Sequence, residues 1–161
     1  MLYKKIIQPV LFQFDPEKVH DFTIKLLSLG ITPALLRPFL RSEDKKLEVK
    51  VGRLTFKNPV GLAAGMDKSS TALRSWEAIG FGFAEAGTVT PLPQEGNEKP
   101  RMFRLPQYGG IINRLGFNNP GADRFEENLE SMKEVLPKDF IVGVNIGKNK
   151  DVPNDEAIEN Y

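Results

Sequence analysis

A short run of the chain, NPVGLAAGMDK at residues 58–68, combines an apolar stretch with a small-residue turn, an acid and a base. Its apolar residues lack the alternation of a half-solvated strand, which indicates a parallel strand covered on both faces. Alanine and glycine then keep side chains out of the turn, so a flat ring system can approach the backbone N–H groups. Asp67 and Lys68 follow at the carboxyl end of the strand, where barrel and open α/β enzymes place their sites. The run therefore predicts a ligand site, and the alternative is a tight strand-to-helix turn with an exposed ion pair.

Asparagines form a second group of residues with chemical potential. Asn113, Asn118 and Asn119 lie in a long loop, and their neutral donors and acceptors suit the amide or imide edges of a small planar ligand. The alternative is that they are ordinary turn residues beside glycine. Asn145 lies near the carboxyl end of an apolar run, where a polar amide either satisfies the backbone or faces a ligand. Its position at the strand end favours the ligand.

The elements that must hold these residues follow the periodicity of an α/β protein. Strands and helices alternate, with strands predicted at 59–64, 81–90 and 140–146 and helices at 70–79 and 122–136. This alternation predicts a parallel sheet. A hairpin is expected before it, at 47–56, and Gly80 fits a left-handed helix cap. The loop at 91–119 is too long for a mere connector and contains a short antiparallel excursion.

The first forty residues have a different, helical character. Asp15 and Pro16 begin a helix predicted to reach Gly30, and a second amphipathic helix follows at 32–41, where Pro38 should end or kink it. Both helices mix apolar residues with charged ones. Such helices could lie in a membrane interface, and the alternative is packing onto the protein's own core.

Composition excludes several classes of function. The chain has 161 residues, of which 40% are hydrophobic and 27% charged, so it can bury one sizeable core. Lysine and arginine number 22 against 21 acidic residues, which gives no electrostatic signal for nucleic acid. The absence of cysteine excludes disulfides, thiolate metal sites and a cysteine nucleophile within these residues, and no metal site is predicted. No stretch is long and apolar enough to span a bilayer, so any membrane contact should be peripheral.

Eight segments together resemble one known family. They occur in the order FDPEKVH (14–20), LTFKNP (54–59), GLAAGMDK (61–68), GTVTP (87–91), GNEKPR (96–101), FRLP (103–106), INRLGFNN (112–119) and VNIGKN (144–149). This set resembles the class 2, membrane-associated dihydroorotate dehydrogenases of pyrimidine biosynthesis, and class 1 relatives lack the helical extension. The resemblance implies an α/β fold of the (β/α)8 TIM barrel family. Residues 1–41 would form the amphipathic helical extension that contacts the membrane and lines the quinone tunnel. Residues 42–161 would form the N-terminal part of an FMN-binding barrel, with about its first three strands.

The resemblance also implies site residues. The expected FMN contacts are Ala64, Gly65, Met66, Asp67, Lys68, Thr88 and Asn145. The expected dihydroorotate contacts are Lys68, Asn113, Arg114, Leu115, Gly116 and Phe117. His20 and Arg104 match positions that line a quinone tunnel. For His20 the alternative is a helix-edge histidine that makes a structural hydrogen bond.

The catalytic base of the family is a serine in an Asn-x-Ser-Ser-Pro-Asn stretch, which is expected beyond Tyr161. The serines at 69, 70, 75 and 131 lack that context, so no catalytic base is assigned. A complete barrel has eight strands and roughly 250 residues, and its phosphate-binding loops follow strands seven and eight. The chain is therefore expected to be the first half of a longer enzyme.

The function implied by the resemblance is oxidation of dihydroorotate to orotate through FMN, with a membrane quinone as electron acceptor. The expected location is peripheral, on the cytoplasmic face of a bacterial membrane or on the mitochondrial inner membrane. One alternative is another FMN barrel that acts on a related pyrimidine. The other is a truncated, inactive product that only associates with membranes through residues 1–41.

Overall fold

The computed structural model describes residues 3–41 and 43–161. Its N-terminal part is helical, with a π-helical turn Tyr3–Ile7, α1 Gln8–Leu11, α2 Pro16–Leu27, α3 Thr32–Leu40 and a 3₁₀ turn Lys45–Leu47. Strands and helices then follow as β1 Val49–Val51, β2 Leu54–Phe56, β3 Gly61–Leu62, α4 Leu73–Ala78, β4 Phe83–Val89, β5 Met102–Leu105, β6 Gly110–Asn113, α5 Ala122–Lys133, β7 Ile141–Ile146 and α6 Ala157–Asn160. Further 3₁₀ turns lie at Pro106–Tyr108 and Asn154–Glu156.

The central sheet has the order β3-β4-β7, and all of its pairings are parallel. In its register Leu62 lies beside Ala84, and Gly87 lies beside Asn145. The predicted parallel sheet is therefore confirmed. The strand predicted at 59–64 is only two residues long, because Pro59 has no N–H to donate to a ladder and the chain turns directly after Leu62.

Helices α4 and α5 contribute to the core that packs against this sheet. Ala84 and Ala86 of β4 are fully buried, as is Leu73 of α4, and Phe125 of α5 belongs to the same cluster. The small side chains on β4 let the helices approach the strand closely. Gly80 has φ +105°, so the left-handed cap predicted from the sequence is present.

The two N-terminal helices follow the predicted boundaries only in part. The Asp15 side chain accepts a hydrogen bond from the N–H of Lys18 at 3.0 Å, which is the expected cap of α2. Helix α3 ends at Leu40 rather than at Pro38, and the N–H of Arg41 still donates to Arg37 O at 3.2 Å. Proline removes one hydrogen bond of its own, but the bond that spans it remains. Among the described residues no single helix is long and apolar enough to cross a bilayer, although α2 and α3, bent by 94°, pass that test as a pair.

Polar contacts fix helix α3 and the end of α2 to helix α4. The carboxylate of Glu77 is buried, and the guanidinium groups of Arg37 and Arg41 donate to its two oxygens. The hydroxyl of Ser75 donates to the carbonyl of Leu27 at 2.5 Å. Because charged groups are rarely buried unless they are paired, this contact between α3 and α4 is specific rather than incidental.

The apolar residues of α2 and α3 divide between two environments. Ile24 and Leu27 pack against the core cluster. Other large apolar side chains of the two helices remain exposed, among them Phe22, Leu26, Leu35 and Phe39. Core packing, one of the two alternatives from the sequence, thus describes one side of this helix pair, and the other side presents exposed apolar side chains.

Two hairpins complete the fold. Strands β1 and β2 pair antiparallel around Gly52, which confirms the predicted first hairpin. Strands β5 and β6 also pair antiparallel, with Met102 opposite Asn113 and Leu105 opposite Gly110. The predicted excursion in the long loop is therefore confirmed, and it brings Arg104 and Asn113 to the side of helix α2.

Candidate functional site

The small-residue turn after β3 is fixed to the carboxyl end of β4. The N–H of Gly65 donates to Gly87 O at 2.7 Å, and the N–H of Gly87 donates to Asp67 O at 3.2 Å. An added Cβ on Gly65 would meet no atom within 4 Å, so the space over this turn is open. The turn therefore presents accessible backbone at the carboxyl edge of the parallel sheet, where α/β proteins bind ligands.

Thr88 and Asn145, predicted as cofactor contacts, lie together at the ends of β4 and β7. The hydroxyl of Thr88 donates to Asn145 Oδ1 at 2.5 Å, and Asn145 Nδ2 donates to Glu85 Oε1 at 2.8 Å. Both side chains are half-buried, so the network fixes their orientation while leaving part of each accessible.

Gly87 is a site residue that the sequence interpretation did not single out. Its φ is +106°, and a Cβ added there would lie 2.5 Å from the backbone oxygen of Asn145. A side chain at this position would therefore push β4 and β7 apart at the edge of the site. The signal in the sequence was a glycine at the end of an apolar, alanine-containing strand.

Asp67 is fully buried, so the alternative of an exposed ion pair is wrong. One carboxylate oxygen accepts from the N–H of Thr71 at 3.0 Å. The other accepts from the N–H of Ala72 at 2.9 Å and from Trp76 Nε1 at 3.2 Å. These donors all belong to the chain itself, so Asp67 holds the turn that presents Lys68.

Lys68 is half-buried and lies where two cavities meet. One cavity has a volume of about 520 Å³ and the other about 490 Å³, and Met66, His20 and Lys68 border both. Within residues 3–41 and 43–161 its ammonium forms no salt bridge. Burial lowers the pKa of Lys68, and the nearby carboxylates of Asp21 and Glu17 partly offset this decrease. The result is a cation available to a ligand.

The larger cavity lies between α2, the residues before it and the β5–β6 hairpin. His20 and Arg104, the predicted quinone residues, both line it. Arg104 Nη1 donates to Phe14 O at 2.6 Å, and the guanidinium carbon lies 4.6 Å from the centre of the Phe12 ring. Burial lowers the pKa of His20, and the positive charge of Lys68 adds to this. His20 is thus favoured in its neutral form, which can donate and accept hydrogen bonds.

The predicted dihydroorotate loop, residues 113–117, is only partly directed at these cavities. Asn113 and Leu115 line the larger cavity together with Lys68. The side chain of Arg114 instead donates to Pro100 O at 3.1 Å. Gly116 and Phe117 both have positive φ, at +73° and +54°, and the Phe117 side chain is exposed.

Two asparagines after this loop have different surroundings. Asn119 donates to Thr90 Oγ1 at 2.8 Å and accepts from the N–H groups of Thr90 and Gly121, so it fits the alternative of a structural turn residue. The Oδ1 atom of Asn118 is buried without a hydrogen-bond partner among the described residues.

The geometry at the sheet edge fits a flat, anionic cofactor. The turn at 64–68 begins with the small residues Ala64 and Gly65 and has open space above Gly65, and Thr88 and Asn145 lie at the ends of β4 and β7. Lys68 supplies the positive charge. No group of three or more potential metal-ligating residues occurs in the part of the chain that the structure describes.

Comparison with known proteins shows which family this chain is similar to. The family model for dihydroorotate dehydrogenase matches residues 46–161. Proteins named dihydroorotate dehydrogenase (quinone) from Christiangramia forsetii and Shewanella piezotolerans are 48% and 50% identical to this chain. Each alignment covers 99% of this chain but only 47% and 46% of the relative. The chain thus spans about half the length of the curated relatives it matches.

Solved structures show the same fold. The crystal structure of Eimeria tenella DHODH in complex with ferulenol matches with a TM-score of 0.78 at 45% identity, covering 89% of this chain and 39% of that one. The ligand-free form from the same organism gives a TM-score of 0.79, with 91% and 40% covered. The predicted α/β barrel class is confirmed by these neighbours and by the parallel β3-β4-β7 sheet. The chain belongs to the dihydroorotate dehydrogenase family.

Proposed function

We propose that this chain, as part of a full-length enzyme, oxidises dihydroorotate to orotate through FMN and passes the electrons to a membrane quinone. The observation that carries the proposal is the position of Lys68. Its half-buried ammonium lies at the edge of the parallel sheet and borders the cavity lined by His20, Arg104 and Asn113. One residue thereby adjoins all three proposed subsites, for cofactor, substrate and quinone.

FMN would lie over the turn of Ala64, Gly65, Met66 and Lys68, next to Thr88 and Asn145. A flavin held there would supply the hydride-accepting chemistry of the reaction. The chain's own contribution is electrostatic and geometric. Lys68 stabilises negative charge that develops in the site, since a preorganised cation in a water-excluded pocket lowers the energy of such charge. Asp67, fully buried, fixes the turn.

Dihydroorotate would bind between Lys68 and the loop at 113–117. Asn113 offers an amide that can both donate and accept, which suits the ring amides of the substrate. The ammonium of Lys68 suits its carboxylate. Gly116 allows the loop to turn, and Leu115 supplies an apolar wall.

The quinone would enter the cavity lined by His20 and Arg104. Support comes from the curated relatives, whose names include the quinone, and from the apolar lining between α2 and the hairpin. Arg104 can donate to a quinone carbonyl. The exposed apolar residues of α2 and α3, including Phe22, Leu35 and Phe39, would rest in the membrane interface. The protein would then be peripheral, on a bacterial cytoplasmic membrane or the mitochondrial inner membrane.

The test is single-turnover flavin reduction by dihydroorotate in the full-length enzyme. Lys68→Met removes the charge but keeps much of the volume, and we expect the rate of flavin reduction to fall about a hundred- to a thousandfold. Lys50→Met is a matched control, because Lys50 is exposed in the β1–β2 hairpin. A parental enzyme whose flavin is not reduced by dihydroorotate would refute the proposed activity. Unchanged reduction in Lys68→Met would refute only the role of Lys68.

A further inference from the structure

A buried ion pair connects helix α2 with the loop before strand β5. Glu17 and Arg101 are only 7% and 6% exposed. Arg101 Nε donates to both carboxylate oxygens of Glu17 at 3.1 Å, and Nη2 donates to Oε1 at 2.6 Å. Glu17 is one of the charged residues in the amphipathic helix α2, and only the approach of this distant loop buries it.

The same guanidinium also holds the loop that precedes it. Arg101 Nη1 donates to the carbonyl oxygens of Glu95 at 2.6 Å and Asn97 at 2.8 Å. The backbone oxygen of Arg101 accepts from the N–H of Arg114 at 2.8 Å. Arg101 thus uses its side chain and its backbone to connect three segments: helix α2, the turn at 95–97 and the start of the loop at 113–117.

Asn97 continues this connection into the proposed dihydroorotate loop. Its N–H donates to Leu115 O at 2.9 Å, and its Nδ2 donates to Arg114 O at 2.7 Å. A Cβ added to Gly116 would lie 2.8 Å from Asn97, so the turn at 95–97 and the loop at 113–117 are in close contact. The conformation of the loop at 113–117 therefore depends on Asn97, and the position of Asn97 depends on Arg101.

Helix α2, at the other end of this series of contacts, also carries His20, which lines the cavity proposed for the quinone. Glu17 lies one helical turn before His20, so the two share a face of α2. The guanidinium of Arg101 lowers the pKa of Glu17, and the carboxylate in turn raises the pKa of Arg101. Both shifts favour the charged forms, so the ion pair is retained at neutral pH.

We infer that Glu17 and Arg101 are positioning residues that hold the dihydroorotate loop and the quinone-side helix α2 in one fixed arrangement. This inference rests on the proposed function. Neither side chain needs to touch a ligand. Loss of one partner leaves an uncompensated buried charge, which the surrounding segments must move to solvate. Displacement of the loop and of His20 should then weaken both sites together.

The test is Glu17→Gln in the full-length enzyme, with the two half-reactions measured separately by stopped flow. Glutamine keeps the shape but loses the charge and the bidentate geometry. We expect the apparent Kd for dihydroorotate in flavin reduction to rise on the order of tenfold, since small misplacements of binding groups have effects of this size or larger. The KM for the quinone should rise as well, with bound flavin retained.

Two further variants separate coupling from a local defect. Asn97→Ala removes the bond to Arg114 O without touching the buried pair, so it should raise the Kd for dihydroorotate. It should raise the KM for the quinone less than Glu17→Gln does, because helix α2 with His20 keeps its anchor. Lys99→Ala is the matched control, because Lys99 Nζ lies 3.4 Å from Glu17 Oε1 but its side chain is 66% exposed. Such exposed pairs contribute little, so both half-reactions should match the parent.

The outcomes are distinct. A parental enzyme that reduces its flavin with dihydroorotate, combined with a Glu17→Gln variant of unchanged Kd, would overturn the inference and leave the proposed function intact. A Glu17→Gln variant impaired only toward quinone would also overturn it. If Glu17→Gln does not fold, Asn97→Ala decides, because an unchanged Kd for dihydroorotate in that variant contradicts the chain of contacts.

Discussion

The buried carboxylate of Asp67 offers the sharpest test of how the site is built. Its three hydrogen bonds, to the N–H groups of Thr71 and Ala72 and to Trp76 Nε1, are 2.9–3.2 Å long. Asp67→Ala removes both acceptor oxygens and leaves three donors, two of them on the buried residues Ala72 and Trp76, without partners. Hydrogen bonds to charged groups contribute about 1.5–3 kcal/mol each. The gain from no longer burying a charge offsets part of their sum, so we expect a loss of about 3–5 kcal/mol in the free energy of unfolding.

Asp67→Asn should fall between the parent and Asp67→Ala. Its single carbonyl oxygen can still accept from Ala72 and Trp76, but its amide then faces the N–H of Thr71, so one bond is lost at a cost of about 1–3 kcal/mol. Trp76→Phe removes one donor and leaves the carboxylate with two. A double-mutant cycle of Asp67→Ala with Trp76→Phe isolates the contact between the two side chains.

The assay is chemical denaturation of the full-length enzyme, combined with single-turnover flavin reduction. Stability and flavin retention should decline in the order parent, Asp67→Asn, Asp67→Ala. If Asp67→Ala kept the parental free energy of unfolding but lost flavin binding, Asp67 would contact the cofactor directly. The assignment of its carboxylate to the chain's own donors would then be wrong.

Two further predictions concern the strand ends and the quinone cavity. Gly87→Ala should lower the free energy of unfolding by about 2–5 kcal/mol and weaken flavin retention, because Gly87 has φ +106° and the new Cβ would lie 2.5 Å from Asn145 O. Thermal unfolding measures the loss of stability. Gly143→Ala is the control, since a Cβ at Gly143 would meet its nearest neighbour at 3.7 Å. Equal destabilisation by both variants would contradict the steric argument. Arg104→Ala should raise the KM for the quinone and leave flavin reduction by dihydroorotate unchanged, because Arg104 contacts Phe12 and Phe14 beside the cavity proposed for the quinone. If the variant kept the parental KM for the quinone, the assignment of Arg104 to the quinone site would be wrong.

The sequence by itself determined the class of fold and the order of its parts. Alternation of strand and helix patterns predicted the parallel sheet, because the period of apolar residues is set by which face of each element is covered. Residues that begin or end helices were equally informative. Asp15 with Pro16 marked the start of α2, and Gly80 marked a left-handed cap, since these roles depend on a few neighbouring residues. The ordered motifs identified the family, which the comparisons confirm.

Element lengths were less well determined by the sequence. Strand β3 has two residues where six were expected, and helix α4 begins at Leu73 because the residues before it form the turn held by Asp67. Helix α3 continues past Pro38, which a local rule had expected to end or kink it. The causes differ: Pro59 and the turn after Leu62 shorten β3, the hydrogen bonds to Asp67 delay the start of α4, and the bond from Arg41 N–H to Arg37 O lets α3 continue past Pro38.

The tertiary structure alone decided which charged residues are buried. Glu17 has the polar, helix-surface position of any solvated glutamate, and nothing within one turn distinguishes it from Asp21. It is buried because Arg101, 84 residues later, lies against it. Asp67 likewise could have been exposed or directed at a ligand, until Trp76 and the turn before α4 supplied its donors. Pairing partners distant in sequence leave no periodic signal, since burial of a charge depends on where the partner lies in space and not on the residue types beside it.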